Sequence, residues 1–282
     1  MIIFKHPKDL RSYIQNGAID PNSIGFVPTM GALHNGHISL IQTARVENPL
    51  VVASIFVNPT QFTDQSDFDK YPSTVEADIL KLEKAGCDIL FLPSVADIYP
   101  NGLTANLQQY NLGHLDTILE GKYRPGHFQG VCQIVHLLLD IISPGKLYLG
   151  QKDYQQCLVI KKMISFLNLD TSVIICPTQR ESDGLAMSSR NVRLSPIERE
   201  KATFLFKMLN YINENSKAGD LEKLLQIVQK QLTEKGFRVE YVAIASQLTL
   251  ETIQFRDNQL PPVALVAAYI NQVRLIDNLI LN

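Results

Sequence analysis

Three stretches of this chain set cationic or hydrogen-bonding side chains beside glycines. The first is Pro28-Thr29-Met30-Gly31-Ala32-Leu33-His34-Asn35-Gly36-His37, between an apolar run at 24–27 and a helical pattern at 38–47. Its glycines permit a tight turn and close approach of the backbone to a ligand. A helix start presents free N–H groups and a partial positive charge, which suits a phosphate. His34 and His37, three apart, can face one side and donate hydrogen bonds to phosphate oxygens, more strongly if protonated. A zinc pair or two incidental turn histidines are the competing readings, but no third or fourth metal ligand lies nearby. The second stretch is Asp183-Gly184-Leu185-Ala186-Met187-Ser188-Ser189-Arg190-Asn191. Two serine hydroxyls and the rigid fork of Arg190 suit a mobile polyphosphate clamp. A polar interdomain linker would have a similar composition. The third is Gly150-Gln151-Lys152-Asp153-Tyr154-Gln155-Gln156. Lys152 offers a point charge for phosphates, and Asp153 is alternatively a helix N-cap. Gln61, in Val57-Asn58-Pro59-Thr60-Gln61-Phe62, brings two donors and an acceptor, although alone it reads as a solvated loop residue.

These residues need a scaffold, and the hydrophobic pattern supplies one. Apolar runs at 24–27, 50–57, 87–92, 147–149 and 172–176 read as strands buried on both faces. Helical patterns at 38–47, 73–85, 131–142 and 154–167 fill the gaps, the second ending at Gly86 as a C-cap. This alternation predicts an α/β fold with a doubly wound parallel sheet, whose ligand edge lies at the carboxyl ends of the strands. After residue 177 the pattern changes. Ser195, Pro196 and Glu198 have the spacing of a capping box, opening a helix expected to reach about Glu214. A second helix at 220–235 and strands at 239–245, 263–269 and 273–279 follow. The expected domains are therefore 1–177, carrying the phosphate turn, and 178–282, a smaller α/β unit with the clamp loop at its start.

The chain has 282 residues, 45% hydrophobic and 19% charged, enough to bury a core without disulfides. A formal net charge of −2 offers no basic excess for a nucleic-acid backbone. Cys87, Cys132, Cys157 and Cys176 form no CxxC pair and read as small apolar core residues, which points to a reducing cytoplasm. No apolar run approaches the roughly 20 residues that span a bilayer, and MIIFKHPKDL has no signal core. His136 reads as a satisfied core histidine, and His6 and His114 as surface residues.

HxGH after a first strand, with a serine-rich loop ending in arginine, resembles the HIGH and KMSKS segments of the adenylate-forming nucleotidyltransferases, a superfamily that includes class I aminoacyl-tRNA synthetases. In order, PTMGALHNGH, VNPTQF, KYP, RPGHFQGV, GQKDYQQ and DGLAMSSRN resemble the pantothenate synthetase family, and Arg274-Leu275-Ile276-Asp277-Asn278 fits as well. Gln151 departs from the Glu of many members, and Ala245-Ser246 from a more usual acidic residue. The resemblance implies a Rossmann-like domain with a smaller C-terminal one, a homodimer, and pantoate, β-alanine and ATP with Mg²⁺ as substrates. It implies that Met30, Gly31, Ala32, Leu33, His34, Asn35, Gly36 and His37 line the ATP site, His37 as proton donor. Gly150, Gln151, Lys152 and Asp153 would contact ATP, Lys152 on the phosphates and Asp153 near the ribose. Gln179 would touch adenine through its backbone, and Met187, Ser188, Ser189 and Arg190 would close over the nucleotide. Gln61 would bind pantoate and then β-alanine, and Gln156 pantoate. Asp78 matches a position near magnesium pyrophosphate, a surface helical aspartate being the alternative. The segment after Phe62 is a candidate gate. A nucleotidyltransferase releasing a dinucleotide, a synthetase fragment and a non-catalytic nucleotide sensor are the other readings.

Overall fold

The computed structural model describes residues 1–103, 108–216, 220–254 and 261–282. In chain order the elements are β1 (Ile2–Phe4), α1 (Pro7–Asn16), β2 (Ile24–Thr29), α2 (Asn35–Glu47), β3 (Leu50–Ile55), α3 (Gln65–Asp69), α4 (Val75–Lys84) and β4 (Ile89–Phe91). Then come α5 (Val95–Ile98), α6 (Leu119–Tyr123), α7 (His127–Ile142), β5 (Lys146–Gly150), α8 (Tyr154–Phe166) and β6 (Ser172–Cys176). The chain ends with α9 (Pro196–Ala202), α10 (Phe204–Asn215), α11 (Leu221–Glu234), β7 (Arg238–Ala245), β8 (Val263–Ile270) and β9 (Val273–Ile280). Two compact units result: Met1–Gly150 with Val159–Pro177, and Gln151–Leu158 with Thr178–Asn282.

The first unit is built on a six-stranded sheet in the order β1-β4-β3-β2-β5-β6, with every pair parallel. Central strands are apolar at successive positions because both faces are covered. On β3, Val51, Ala53 and Ile55 pack with Leu40, Ile41 and Ala44 of α2 and Leu82 of α4, while Val52 between them is also fully buried. Strand order reverses between β2 and β5, which makes their carboxyl ends the crevice of a doubly wound sheet. The register opens that crevice. β2 and β5 pair only at Gly25–Lys146 and Phe26–Leu147, although both strands run three residues further. Beyond Phe26, β2 stays paired to β3, and beyond Leu147, β5 stays paired to β6.

The N-terminal segment, read from sequence only as lacking a signal core, forms edge strand β1 beside β4. It is three residues long and leaves Ile2 and Ile3 exposed, too short a run for periodicity to mark. Among the described residues no helix is long and apolar enough to cross a membrane.

In the second unit α10 and α11 cover an antiparallel sheet, β7-β8-β9. Leu205, Leu209 and Ile212 from α10 meet Val228 and Leu232 from α11 over Val266 and Ala268 of β8. The single helix expected from Pro196 to about Glu214 is instead two, divided at Thr203. Thr203 turns its hydroxyl back to donate to the Glu200 carbonyl at 2.8 Å, a bond by which threonine competes with regular helix.

Candidate active site

In the first unit, β2 runs straight into the Met30–His37 turn. Gly31 and Ala32 both adopt positive φ, 79° and 49°. Glycine does this freely, whereas Ala32 must be held there. The holder is Asp78 on α4. Its Oδ2 accepts from the Ala32 N–H and its Oδ1 from the Leu33 N–H, each at 2.8 Å, and Thr74 Oγ1 donates to Oδ2 at 3.1 Å. Lys81 Nζ adds a bond to the Leu33 carbonyl at 2.6 Å. Asp78 is fully buried, so the surface-aspartate alternative is corrected. A helical position exposed on paper is covered by the turn it braces. Among the described residues no group of three His, Cys, Asp or Glu could hold a metal ion.

His34 and His37 cap α2 reciprocally. His34 is the N-cap, and its Nδ1 accepts from the Gly36 N–H at 3.1 Å. The His34 N–H in turn donates to His37 Nδ1 at 3.3 Å. The two rings lie 4.0 Å apart between centroids. A nitrogen that accepts a hydrogen bond carries no proton, so both imidazoles in this arrangement are neutral with the proton on Nε2. Protonation of Nδ1, which would strengthen an isolated phosphate contact, here breaks the cap. Two neutral Nε2–H donors at the start of a helix suit an anion without a fixed imidazolium.

Gln61 joins the same group, donating from Nε2 to Met30 Sδ at 2.8 Å. Its loop is set by Asn58, 1% exposed, which donates to the Gly130 carbonyl at 3.1 Å and accepts from Tyr99 Oη at 2.9 Å. Burial raises the Tyr99 phenol above its ordinary range, keeping it a donor. His127 Nδ1 donates to the Gln61 carbonyl at 2.7 Å, while its Nε2 accepts from Arg124 Nη1 at 3.0 Å. The sequence marks RPGHF as a motif but assigns His127 no task. Only the fold shows that it holds the backbone of Gln61. The segment after Phe62, expected as a gate, contains α3 with Asp64 as its cap, and Phe62 packs edge-on to Phe68 and Tyr71.

The second unit holds the other cationic residues. Gln151, Lys152 and Asp153 form one 3₁₀ turn ahead of α8, and the Lys152 ammonium lies 3.7 Å from Asp153 Oδ2. Gln156, in the first turn of α8, is half-buried, and Gln155 beside it is buried. The clamp loop is joined to the segment that precedes it. Arg180 bridges in register to Ala186, and Met187 N–H donates to the Gln179 carbonyl at 3.0 Å. Arg180 also stacks 3.8 Å from the Phe206 ring centroid and donates to the Gly184 carbonyl at 3.2 Å. Ser188 caps a 3₁₀ turn, Ser189–Arg193, through its hydroxyl and the Arg190 N–H at 3.3 Å. Ser189 is buried, and Met187, Ser188 and Arg190 are half-buried.

The whole chain can be set against known proteins. A family model for pantoate-β-alanine ligase matches residues 2–280. The chain belongs to the pantoate-β-alanine ligase family. It is therefore an enzyme, a ligase of the amide-forming kind. The pantothenate synthetase of Cytophaga hutchinsonii is 46% identical over all of this chain and 99% of its own length. That of Thermodesulfovibrio yellowstonii is 44% identical over 99% of both. A crystal structure of pantothenate synthetase from Thermus thermophilus superposes with a TM-score of 0.91 at 41% identity, covering 99% of each chain. The pantoate-β-alanine ligase of Francisella tularensis, solved with β-γ ATP and β-alanine, gives 0.82 at 41% identity, over 99% of this chain and 97% of that one. Family members thus share this fold from end to end.

Proposed function

We propose that this protein condenses (R)-pantoate with β-alanine in two steps at the sites described, with ATP entering as its Mg²⁺ complex. In the first step a pantoate carboxylate oxygen attacks the α-phosphorus of ATP. The new P–O bond gives pantoyl adenylate, and the bond to pyrophosphate breaks. In the second, the β-alanine amine attacks the acyl carbon, the C–O bond to AMP breaks, and the amine proton is lost. The observation that carries this reading is the crevice between β2 and β5, with the His34–His37 cap at its β2 edge.

The first step brings an anion to a polyanion, so its barrier is largely electrostatic. His34 and His37 serve as neutral donors, Lys152 and Arg190 as fixed charges, and the α2 N-terminus as a dipole. Met30–His37, Gly150–Asp153, Gln179 and Met187–Arg190 are assigned to ATP. Gln61 and Gln156 are assigned to pantoate, with Gln61 passing to β-alanine. Asp78 is assigned to holding the phosphate turn. The resemblance further implies a cytoplasmic homodimer.

The deciding experiment follows pyrophosphate from MgATP with and without pantoate, then adds β-alanine. Pantoate-dependent pyrophosphate, with AMP and pantothenate forming after β-alanine, is expected. A stable dinucleotide product would return the protein to the nucleotidyltransferases, and ATP binding without pyrophosphate would make it a sensor.

A further inference from the structure

One buried side chain of the second unit touches the Lys152 turn and has no part in the chemistry above. Asn278 on β9 is 2% exposed. Its Nδ2 donates to two consecutive carbonyls, Gln151 at 2.9 Å and Lys152 at 2.8 Å. Its Oδ1 accepts from Gln151 Nε2 at 3.1 Å. Both donors and the acceptor of the amide are thus engaged, all on the turn that carries the lysine. Asn278 is itself anchored by backbone. Its N–H donates to Asp277 Oδ1 at 2.8 Å and its carbonyl accepts from Arg180 Nη2 at 3.2 Å. Arg180 grips the Asp277 carboxylate at both oxygens, at 2.6 and 2.9 Å.

Lysine is a point charge on a flexible four-carbon stem. It serves as a fixed charge in a transition state only if its own backbone is fixed. A single 3₁₀ turn closes few bonds of its own, and the carbonyls of Gln151 and Lys152, one on each side of the Lys152 Cα, are both held from outside by one side chain. We propose that Asn278 is a positioning residue for adenylate formation, acting through Lys152 by clamping the 151–152 carbonyls. The proposal rests on the reading of Lys152 as a charge on the ATP phosphates.

The test is a double-mutant cycle on pantoate-dependent pyrophosphate release in a single turnover, using the full-length protein. Asn278→Ala is expected to slow adenylation about tenfold with the pantoate concentration for half-maximal rate unchanged, and to add less than about twofold in a Lys152→Ala background. A loss that multiplies fully onto that of Lys152→Ala would show a general structural effect and overturn the proposal, as would a normal rate for Asn278→Ala. Near-normal adenylation by Lys152→Ala alone would instead remove the reading of Lys152 beneath it, a failure visible without any Asn278 variant. Asn278→Asp keeps the volume and the bond from Gln151, and it carries the same cycle if the alanine variant does not fold. Its ionised oxygen would face two carbonyls, so its loss should ease as pH falls and the carboxyl regains a proton. A pH-independent loss in that variant would count against the clamp.

Discussion

At the residue scale, Asp78 and the histidine pair do their work through backbone groups as much as through ligands. Each Asp78 oxygen meets an N–H of the Met30–His37 turn. Asp78→Asn replaces one oxygen by an amide group that faces a donor. It should destabilise the protein by about 1–3 kcal/mol and slow adenylation as the turn relaxes. Thermal unfolding with pyrophosphate release checks both, and an unchanged melting temperature would refute the bracing role. A second pair gives a pH signature. Asp97 accepts from Ser94 and binds His6 Nδ1 at 2.8 Å, which holds its carboxyl down to about 2 and raises the imidazole of His6. A raised histidine stabilises below its unfolded value and loses that contribution as pH rises through its folded value. A lowered aspartate stabilises above its unfolded value and loses it as pH falls toward about 2. The pair therefore contributes fully only between about pH 4 and 6.5. The stability difference between wild type and His6→Ala should peak in that window and shrink as pH rises above it, measured by urea unfolding. A difference that is flat with pH would rule out the pair.

Elements deliver these residues through close contacts that sequence periodicity does not reveal. Gly130, in the second turn of α7, lies so near the loop at 59–61 that a Cβ would sit 2.4 Å from the Thr60 carbonyl oxygen. Gly130→Ala must move the helix or the loop, and the loop carries Gln61. A cost of about 1–3 kcal/mol is expected, with a rise in pantoate KM larger than any fall in kcat. Steady-state kinetics beside circular dichroism separates the two, and an unchanged KM would mean that the helix had given way instead. Local codes read well where the partners are near in sequence. Ser195 and Glu198 close the expected capping box, at 2.8 Å and 3.4 Å. They fail where a competing bond intervenes, as at Thr203, or where an element is too short to have a period, as at β1.

Across the whole molecule, the four cysteines behave as core. All are buried and outside any disulfide, and burial pushes the Cys87 and Cys132 thiols up to about 12. A thiol with so little thiolate reacts slowly even when reached. Native protein should thus label with a thiol reagent only as fast as it opens, and the denatured chain should take up four equivalents. Rapid labelling in native buffer would contradict this packing. Cys157 belongs to the second unit and the other three to the first, so separate opening of the units would label Cys157 on its own timescale.

The sequence by itself determined the strand–helix alternation, the glycine turn with its two histidines, the capping signals and the order of motifs that mark the family. Those features depend on residues within a few positions of one another, so periodicity and turn chemistry expose them. Tertiary structure decided what holds each motif in place. Asp78 reaches Ala32 across 46 positions, His127 reaches Gln61 across 66, and Asn278 reaches Lys152 across 126. A hydrogen bond needs its partners within about 3 Å, and only the packed sheet and helices bring residues so far apart in the chain to that distance.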